Sequence, residues 1–571
     1  MKRFNYLFMA GLMTLGLGAC SDEVDVSGEN SKVTGDVYMS FRLELPTASR
    51  SATDNTGDTN SDENPDYEVG KDVENAVSRF DIVLATPDNN YTTGYKYITQ
   101  TSNKPANPQD IKNVHTIKFQ SQALEAYEGS DVVAFVFCNH PADTNYKGIV
   151  EGTSSSYTIS NIADISTANQ FWMANAEIPA AKTLQNLNAT TEAAPFELGT
   201  VKVERTAARF DFKPLATEID INGDTQFDNN VYVLEEDGAG NPVVTIQLTH
   251  MALMNVSNNF NYLRHVGEYG SADPGVAFCE PETPDNYVVD SDAASKATEN
   301  YLPDNFINYW DAQSGNQTAA TPVNFQSLWT SLASSITNID THFASASDDQ
   351  WAPDGQTAPT YKIWQYATEN TCPTIEKQIK SLSTMVLFKG RLYDALTGDN
   401  NRLKLTESKA YVHNNILYGS WKQVEAKVAT VNSSTTDENL IALKAAYNAA
   451  GGATEPTLAT AATNGFTVIE KELAGTPLDT SDDFWSLYYC YINRHNDNGS
   501  ADTMGKMEFA VVRNNVYKLN VKNIKKFGHP SNPAGDPDPE IPEDPDESKN
   551  VYFEVGVQVL PWTVRVNEIE F

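Results

Sequence analysis

The sequence predicts an all-β protein with two β-sandwich domains that meet near Thr200. Short runs of apolar and β-branched residues recur along the chain, and polar turn segments separate them, which is typical of sandwiches. The runs fall into two blocks, and helical spacing occurs only within the second block. With 571 residues, the chain has room for two or three domains that each bury a core.

The first segment of the chain has the composition of an export signal. Two basic residues near the start precede an apolar core at 7–17, which leads into Gly18-Ala19-Cys20. This arrangement is typical of a bacterial lipoprotein signal peptide, and it is too short to span a bilayer as a helix. We therefore predict a signal peptide at 1–19 and a lipid on Cys20, which would be the only membrane anchor.

The next element is a half-buried strand followed by a polar stretch. Apolar side chains occupy every second position of this strand, at Val37, Met39, Phe41, Leu43 and Leu45. The stretch 47–66 is rich in Ser, Thr, Asn, Asp and Gly, and we expect an exposed, flexible loop there. Arg50 lies in this loop and the next arginine is Arg79, so a trypsin-like protease would cleave first between Arg50 and Ser51.

Further strands are predicted in two blocks. The first block contains the runs 79–84, 114–119, 131–137 and 198–212. The second block contains the runs 243–254, 384–392, 410–418, 484–492 and 509–521.

Two segments of the second block have helical spacing. One contains Phe325, Leu328, Leu332 and Ile336, and the other contains Leu440, Leu443 and Tyr447. Thr435 and Glu438 form a capping-box pattern before the second segment, and Gly451-Gly452 should end it.

The chain ends in an acidic linker and an alternating strand. Residues 531–550 are rich in Pro, Asp and Glu and should form an extended spacer with a reach on the order of 60 Å at roughly 3 Å per residue. After it, one face carries Val551, Phe553, Val555, Val557 and Val559, and Trp562 begins the next apolar set. Pro561 should mark a bend or a bulge, since proline cannot donate to a sheet ladder.

The N-terminal and C-terminal strands are suited to replace each other. Each offers five apolar side chains at a period of two, and each is tethered by a long polar segment. Burial of five such side chains contributes roughly 7 to 15 kcal/mol, and an emptied groove would invite a strand from another chain. The residues alone leave open the alternative that 37–45 is a permanent edge strand and Arg50 an ordinary solvated residue.

Composition argues against several function classes. The formal net charge of −36 and the pI near 4.5 disfavour binding to nucleic acid or to an anionic membrane surface. No catalytic, metal-binding or cofactor motif is legible, so we expect no enzyme activity, no metal and no cofactor. Beyond Cys20, the cysteines lack zinc-site spacing, and their disulfide state stays open; they are Cys138, Cys279, Cys372 and Cys490.

Several segments carry a family resemblance. They are the lipobox at Cys20, YMSFRLELPTASRSA at 38–52, VKVERTAAR at 201–209, VVRNNVYKLNVKNIKKFG at 511–528, the acidic linker and VQVLPWTVRVNEIEF at 557–571. With them the chain resembles the Bacteroidales fimbrial shaft-subunit family of type V pili, and the major subunits of the short fimbriae of Porphyromonas are the most similar branch. Residues from about 215 to 500 match only loosely.

The resemblance implies a fold, a processing route and partners. It implies transthyretin-like sandwiches, a lipidated precursor on the outer membrane, cleavage after Arg50 by an arginine-specific protease, and polymerisation by donor-strand exchange. The mature protein would be a homopolymer on the cell surface that joins accessory tip and anchor proteins and binds host or bacterial adhesion receptors. The domains would be a signal peptide at 1–19, a propeptide at 20–50, sandwiches at 51–200 and 201–530, the linker at 531–550 and the donor region at 551–571.

Two other interpretations concern particular residues. A monomeric surface lipoprotein, or a fimbrial tip or anchor adhesin, would bind glycans or host proteins through the aromatic residues Tyr309, Trp310, Trp329 and Trp351. Arg205, Arg209 and the adjacent Glu204 are expected to form a structural ion pair at the domain junction, and Arg513 is expected to have a similar role.

Overall fold

The computed structural model describes fourteen stretches of the chain. They are 35–45, 68–108, 113–221, 228–270, 277–280, 286–302, 305–307, 328–332, 361–394, 408–471, 485–494, 504–530, 545–546 and 553–563.

The strands of the first part alternate with short helices. The strands are β1 (Asp36–Glu44), β2 (Glu68–Val69), β3 (Phe80–Pro87), β4 (Tyr95–Asn103), β5 (Val114–Gln120), β6 (Asp131–Cys138), β7 (Ser156–Thr158), β8 (Met173–Asn175), β9 (Lys182–Thr183), β10 (Phe196–Arg205) and β11 (Ala208–Phe212). The helices are α1 (Asp72–Asn75), α2 (Ser121–Leu124), α3 (Tyr146–Glu151) and α4 (Ala163–Ser166), and 3₁₀ turns occupy Glu125–Tyr127 and Leu187–Ala189.

The second part contains the remaining elements. Its strands are β12 (Val231–Glu236), β13 (Pro242–Met254), β14 (Val256–Ser257), β15 (Asn259–Asn261), β16 (His265–Glu268), β17 (Ala277–Phe278), β18 (Asn286–Val289), β19 (Asn305–Ile307), β20 (Thr330–Ser331), β21 (Lys362–Ala367), β22 (Met385–Asp394), β23 (Lys409–His413), β24 (Ile416–Tyr418), β25 (Thr467–Glu470), β26 (Ser486–Ile492), β27 (Asn515–Ile524), β28 (His529–Pro530) and β29 (Phe553–Thr563). Its helices are α5 (Ala293–Thr298), α6 (Trp421–Ala429), α7 (Glu438–Ala449) and α8 (Leu458–Thr463), with a 3₁₀ turn at Ile375–Lys377.

The first sheet runs in the order β4-β3-β6-β8-β10-β1-β5, and β9 pairs with β6. The sheet folds over onto itself, because Phe41 of β1 packs against Phe80 of β3 with their ring centroids 5.3 Å apart, although three strands (β6, β8 and β10) lie between them in the sheet order. The enclosed core draws its side chains from both ends of this sheet. The prediction of an all-β sandwich fold is confirmed.

The second sandwich packs two sheets face to face. One sheet has the order β2-β29-β27-β11-β21, and the other has the order β12-β13-β22-β26-β28 with β20 paired to β13. Their inner side chains form one core, in which Phe212 of β11 lies against Phe388 of β22 at a centroid distance of 5.9 Å. The chain changes from the first sandwich to the second at Thr206-Ala207, between β10 and β11.

A helical module is inserted between β22 and β26. Its sheet has the order β24-β23-β25, and α6 to α8 cover it around an aromatic core that contains Tyr411, Trp421 and Phe466. Helix α7 begins at a different cap from the one that the sequence suggested: the side chain of Asp437, not Thr435, accepts the backbone N–H groups of Asn439 and Leu440. The helix ends as expected before Gly451 and Gly452, which both have positive φ.

Two local predictions differ from the structure. The expected helix through Leu328 and Leu332 is wrong at Thr330–Ser331, which form β20 and pair with His250 and Met251 of β13; Phe325 and Ile336 lie outside the described residues. The expected single strand 410–418 is a hairpin, since Asn414 and Asn415 both adopt positive φ between β23 and β24. Tertiary pairing and turn chemistry overrode local periodicity in these two places.

Candidate strand-exchange site

Strand β1 lies in the middle of the first sheet, not at its edge. It runs parallel to β10 over Met39–Glu44 and antiparallel to β5 over Asp36–Arg42. All five of its alternating apolar side chains are at most 3% exposed; they are Val37, Met39, Phe41, Leu43 and Leu45. Within the described residues, β5 has β1 as its only sheet partner, so this one strand closes a groove between β5 and β10.

The centre of this groove is an aromatic socket around Phe41. The ring centroid of Phe41 is 5.3 Å from Phe80 in an edge-to-face arrangement and 5.7 Å from His115. Phe80 and His115 are themselves 5.0 Å apart, so the three rings form one cluster. Edge-to-face packing makes the socket selective for an aromatic side chain.

The outer side of β1 is held by few polar contacts. The backbone N–H of Tyr38 donates to the Thr190 hydroxyl over 3.1 Å, and Lys118 pairs with Asp36 over 3.1 Å at an exposed position. Exposed ion pairs contribute little to stability. Burial of the apolar face therefore provides most of the free energy that holds β1.

Strand β29 pairs with its own chain. It runs antiparallel to β27 from Asn515 to Ile524, and on its other side only Trp562 and Thr563 pair with β2. Val555 packs against the core of the second sandwich, on the face that the alternating pattern assigns to it. The pairing with β27 ends at Pro561, and its one register shift lies between Val521 and Asn523, so the expected bend or bulge at Pro561 stays a prediction.

Several predicted site residues lie outside the described part of the chain. They are Cys20, Arg50, Ser51 and Val551. The backbones of Phe553, Val557, Val559 and Trp562 belong to β29, while Val555 is the only residue of this strand whose side chain is described.

The segment after β2 is fixed by buried charges. Glu74 of α1 is fully buried, pairs with Arg209 over 3.0 Å and accepts a hydrogen bond of 2.6 Å from the Tyr366 hydroxyl. Arg209 also forms a bidentate pair with Asp211 at 2.7 and 2.8 Å. Arg209, at the start of the second sandwich, thereby holds helix α1 in place. This helix follows the predicted cleavage site along the chain.

Arg205 extends this cluster through hydrogen bonds to a backbone carbonyl and to two asparagine side chains. It donates to the backbone carbonyl of Glu74 over 3.1 Å, to Asn514 over 3.2 Å and to Asn75. Burial lowers the pKa of Arg205 to about 9, with Glu74 acting in the opposite direction and Arg209 adding to the decrease. The guanidinium stays charged at neutral pH.

Two further ion pairs join distant segments. Glu204 pairs with Arg264 over 2.8 Å, so its partner is neither of the nearby arginines that the sequence suggested. Arg513 makes a bidentate pair with Glu369 at 2.7 Å and donates to the carbonyl of Asn261. Burial lowers the pKa of Arg513, but the charge and hydrogen bonds of Glu369, with a smaller effect of Glu204, together more than offset it, and the net shift of the pKa is upward. Sequence reasoning found these arginines but not their partners.

The two described residues of the acidic linker, Pro545 and Asp546, dock on the second sandwich. Asp546 is 6% exposed; its backbone N–H donates to the carbonyl of Gln378 over 3.0 Å, and its carboxylate accepts a hydrogen bond from the Ser383 hydroxyl. The preceding Pro545 forms a β-bridge with Ile379. We call Pro545 and Asp546, with their partners Gln378, Ile379 and Ser383, the linker clasp. Residues 531–544 and 547–550 of the predicted linker lie outside the described part of the chain.

The remaining candidate residues lie in packed surroundings. Cys138, Cys279, Cys372 and Cys490 are free thiols. Trp329 is half-buried and packs against Tyr488, while Tyr309, Trp310 and Trp351 lie outside the described residues. Across the described stretches, no three acidic, histidine or cysteine side chains are grouped to hold a metal ion. No helix in those stretches is long and apolar enough to span a membrane.

A family comparison bears on the strands that build this site. The model of the family described as major fimbrial subunit protein type IV, fimbrillin, C-terminal covers β26, β27, Pro545 and Asp546 of the linker clasp, and β29. Residues 486–568 match the fimbrillin family. The resemblance to Bacteroidales fimbrial subunits is confirmed on this segment, and it supports a fimbrial subunit role at the cell surface.

Solved fimbrial proteins align with most of the chain at low similarity. The fimbrilin FimA of Porphyromonas gingivalis is 12% identical, with 92% of this chain and 98% of that chain covered and a TM-score of 0.37. The tip fimbrial protein Mfa3 of the same species, with a C-terminal truncation, is 9% identical, with 92% and 100% covered and a TM-score of 0.32. Similarity at this level carries no argument about which fimbrial role this chain has.

Proposed function

We propose that this chain is the shaft subunit of a surface fimbrium that polymerises by donor-strand exchange. The precursor is lipidated at Cys20 and cleaved between Arg50 and Ser51, after which β1 leaves and the C-terminal strand of a second copy enters its groove. The observation that carries this proposal is the position of β1, which lies between β10 and β5 with its apolar face buried and precedes Arg50 by a few residues.

An emptied groove drives the exchange. Loss of β1 uncovers the apolar slot and the backbone edges of β5 and β10 together. Five side chains of this size contribute roughly 7 to 15 kcal/mol when they are buried, before entropy is counted. A groove that lacks this contribution binds a strand of matching alternation.

The C-terminal strand is suited to leave its own sheet. Among the described residues, it pairs along most of its length with β27 alone, and β2 covers its last two residues. Val555 packs on the second core. We infer that the apolar face to which it belongs serves both in its own sheet and in the groove. In the groove it gains a partner on both sides.

Three variants test the proposed function. Arg50→Ala leaves an intact precursor that accumulates as monomers, and Cys20→Ala abolishes labelling with a fatty-acid analogue. Deletion of 551–571 leaves a folded protein that does not polymerise. Electron microscopy and N-terminal sequencing of surface material provide the measurements, and filaments of normal yield that still contain residues 37–45 contradict the proposal.

The apolar face of the C-terminal strand provides a matched pair of variants. Val557→Asp buries an unpaired charge in the groove at a cost of several kcal/mol, so it blocks assembly. Gln558→Asp places the same charge on the opposite face and is tolerated. Equal assembly defects in the two variants show that the assignment of faces is wrong.

The alternative of a monomeric surface lipoprotein, or of a tip or anchor adhesin, predicts another outcome. A monomeric protein keeps residues 37–45 and forms no filaments. A tip protein accepts a strand without donating one, and an anchor donates a strand without accepting one. Deletion of 551–571 separates these roles, because it abolishes only the donor role.

A further inference from the structure

The groove of β1 discriminates between two alignments of the incoming strand. In a length-matched register, Val551 replaces Val37 and Phe553 replaces Met39. In an aromatic register, the strand is moved along by two residues and Phe553 replaces Phe41. We propose that the C-terminal strand of a second copy binds in the aromatic register and runs in the same direction as β1; this inference rests on the proposed function.

The aromatic socket favours this register. Phe41 is the only aromatic residue on the buried face of β1, and Phe553 is the only one on the alternating face from Val551 to Val559. The rings of Phe80 and His115 surround the Phe41 position at 5.3 and 5.7 Å. In the length-matched register a valine would fill this socket and leave a cavity, which destabilises the pairing.

The position of Glu554 gives an independent argument for the same register. In the aromatic register, Glu554 replaces Arg42, an exposed residue that pairs with Thr200 of β10. In the length-matched register, it replaces Ser40, which is 5% exposed and pairs with Glu197. Burial of a carboxylate and like charges directly opposite each other both disfavour that placement.

The same carboxylate determines the direction of the strand. If Phe553 occupied the socket and the strand ran in reverse, Glu554 would replace Ser40 and lie opposite Glu197. The incoming strand therefore runs parallel to β10 and antiparallel to β5, as β1 does.

Disulfide trapping in fimbriae sheared from cells tests the register and the direction. Val201 is the β10 partner of Leu43, so a cysteine there reports which donor residue replaces Leu43. Val201→Cys is combined in turn with Val555→Cys, Val557→Cys and Val551→Cys in the full-length chain, and the fimbriae are oxidised. The wild-type chain and the four single variants are the controls for the native thiols and for filament formation.

We expect a ladder of covalent multimers on non-reducing gels for the pair of positions 201 and 555 alone. A ladder for 201 and 557 overturns the aromatic register, and one for 201 and 551 overturns the direction. Filaments that give no ladder with any pair overturn the proposal, because no donor residue then lies beside β10. If N-terminal sequencing finds residues 37–45 in those filaments, the proposed function fails as well.

A second measurement addresses the socket itself. Phe553→Leu leaves the socket partly filled, so it speeds heat- or detergent-induced dissociation of the fimbriae by about tenfold. Val557→Leu, a change of similar size on the same face, is the control. An equal effect of both substitutions overturns the role of the socket.

Discussion

Glu74 shows how strongly single residues fix the segment that follows β2. This carboxylate is fully buried between Arg209 and the hydroxyl of Tyr366, and its own backbone carbonyl holds Arg205. The sequence predicted a structural role for both arginines. It did not predict Glu74 as their partner, because more than 130 residues separate them and no local spacing connects them.

In the Glu74→Ala variant, the buried Arg209 loses the carboxylate of Glu74 and keeps that of Asp211. Removal of one partner of a buried pair costs about 3–5 kcal/mol, so we expect a large fall in the urea midpoint. Glu192→Ala, at an exposed position, is the control and should leave the midpoint unchanged. Equal midpoints in the two variants contradict this prediction.

Three buried histidines make the fold sensitive to acid. Burial lowers the pKa of His140, His250 and His265 to about 3, with nearby cationic side chains adding to the effect. The unfolded chain binds these protons near pH 6.5 while the folded chain does not, so stability is lost as the pH falls from 6.5 towards 3. Each histidine contributes about 1.4 kcal/mol per pH unit within this window.

His140→Phe tests this contribution. The substitution keeps an aromatic ring beside Trp172, where the imidazole now stacks at a centroid distance of 4.6 Å. It removes one group that binds a proton in the unfolded chain but not in the folded chain. Urea unfolding at several pH values between 7 and 5 should show a shallower dependence of stability on pH than in the wild type. An unchanged slope would mean that His140 titrates alike in both states.

At the scale of elements, the linker clasp shortens the reach of the C-terminal strand. The sequence suggested a spacer on the order of 60 Å, since its composition favours extension along its whole length. With Asp546 docked, six residues separate the clasp from β29, and they span at most about 20 Å at roughly 3.3 Å each. Composition could not reveal the clasp, because Gln378, Ile379 and Ser383 are distant in sequence.

Loss of the clasp should expose the chain near Lys549. Asp546→Ala removes the acceptor of the Ser383 hydroxyl, so trypsin should cut after Lys549 several times faster than in the wild type. Mass spectrometry of the released fragment measures the rate, and Glu547→Ala is the control for the loss of a negative charge. Equal rates in the two variants show that the docking of Asp546 does not protect this site.

Most strands were predictable because burial on one face imposes a period of two. β3, β5, β6, β13, β22 and β26 lie within about two residues of the predicted runs. The hairpin at Asn414-Asn415 was readable in principle, since asparagine tolerates positive φ and two in succession suit a tight turn. Strand β20 could not be predicted from the sequence, because it forms by pairing with the part of β13 that extends past the end of β12.

At the scale of the whole molecule, the second part of the chain contributes side chains to the core of the first sandwich. Phe260 and Tyr262 come from the second part of the chain but pack in the first core, and β7 pairs with β15 across the boundary. Arg513, which forms the bidentate pair with Glu369, also donates a hydrogen bond to the backbone carbonyl of Asn261, between Phe260 and Tyr262. A division at residue 200 was the simplest interpretation of two strand blocks, and sequence gave no sign of these crossing contacts.

We therefore expect the two sandwiches to unfold together. Calorimetry of the chain without its signal peptide should show one transition, and Arg513→Ala should lower the midpoint of that whole transition because it leaves Glu369 buried without its pair. Lys525→Ala, at an exposed position, serves as the control. Two separate transitions in the wild type contradict this prediction.

The flanking strands of β1 have a consequence for growth. One neighbour is parallel and the other antiparallel, so the slot distinguishes the two directions of an occupant. Repeated addition, in which each copy places its C-terminal strand in the slot of the next copy, gives a head-to-tail series. The two ends of the series then differ chemically. One end presents an empty groove between β5 and β10, and the other presents a C-terminal strand that is not bound to a neighbour. Trace amounts of a copy without 551–571 should stop elongation at one end only, and a copy that cannot release 36–44 should stop it only at the opposite end.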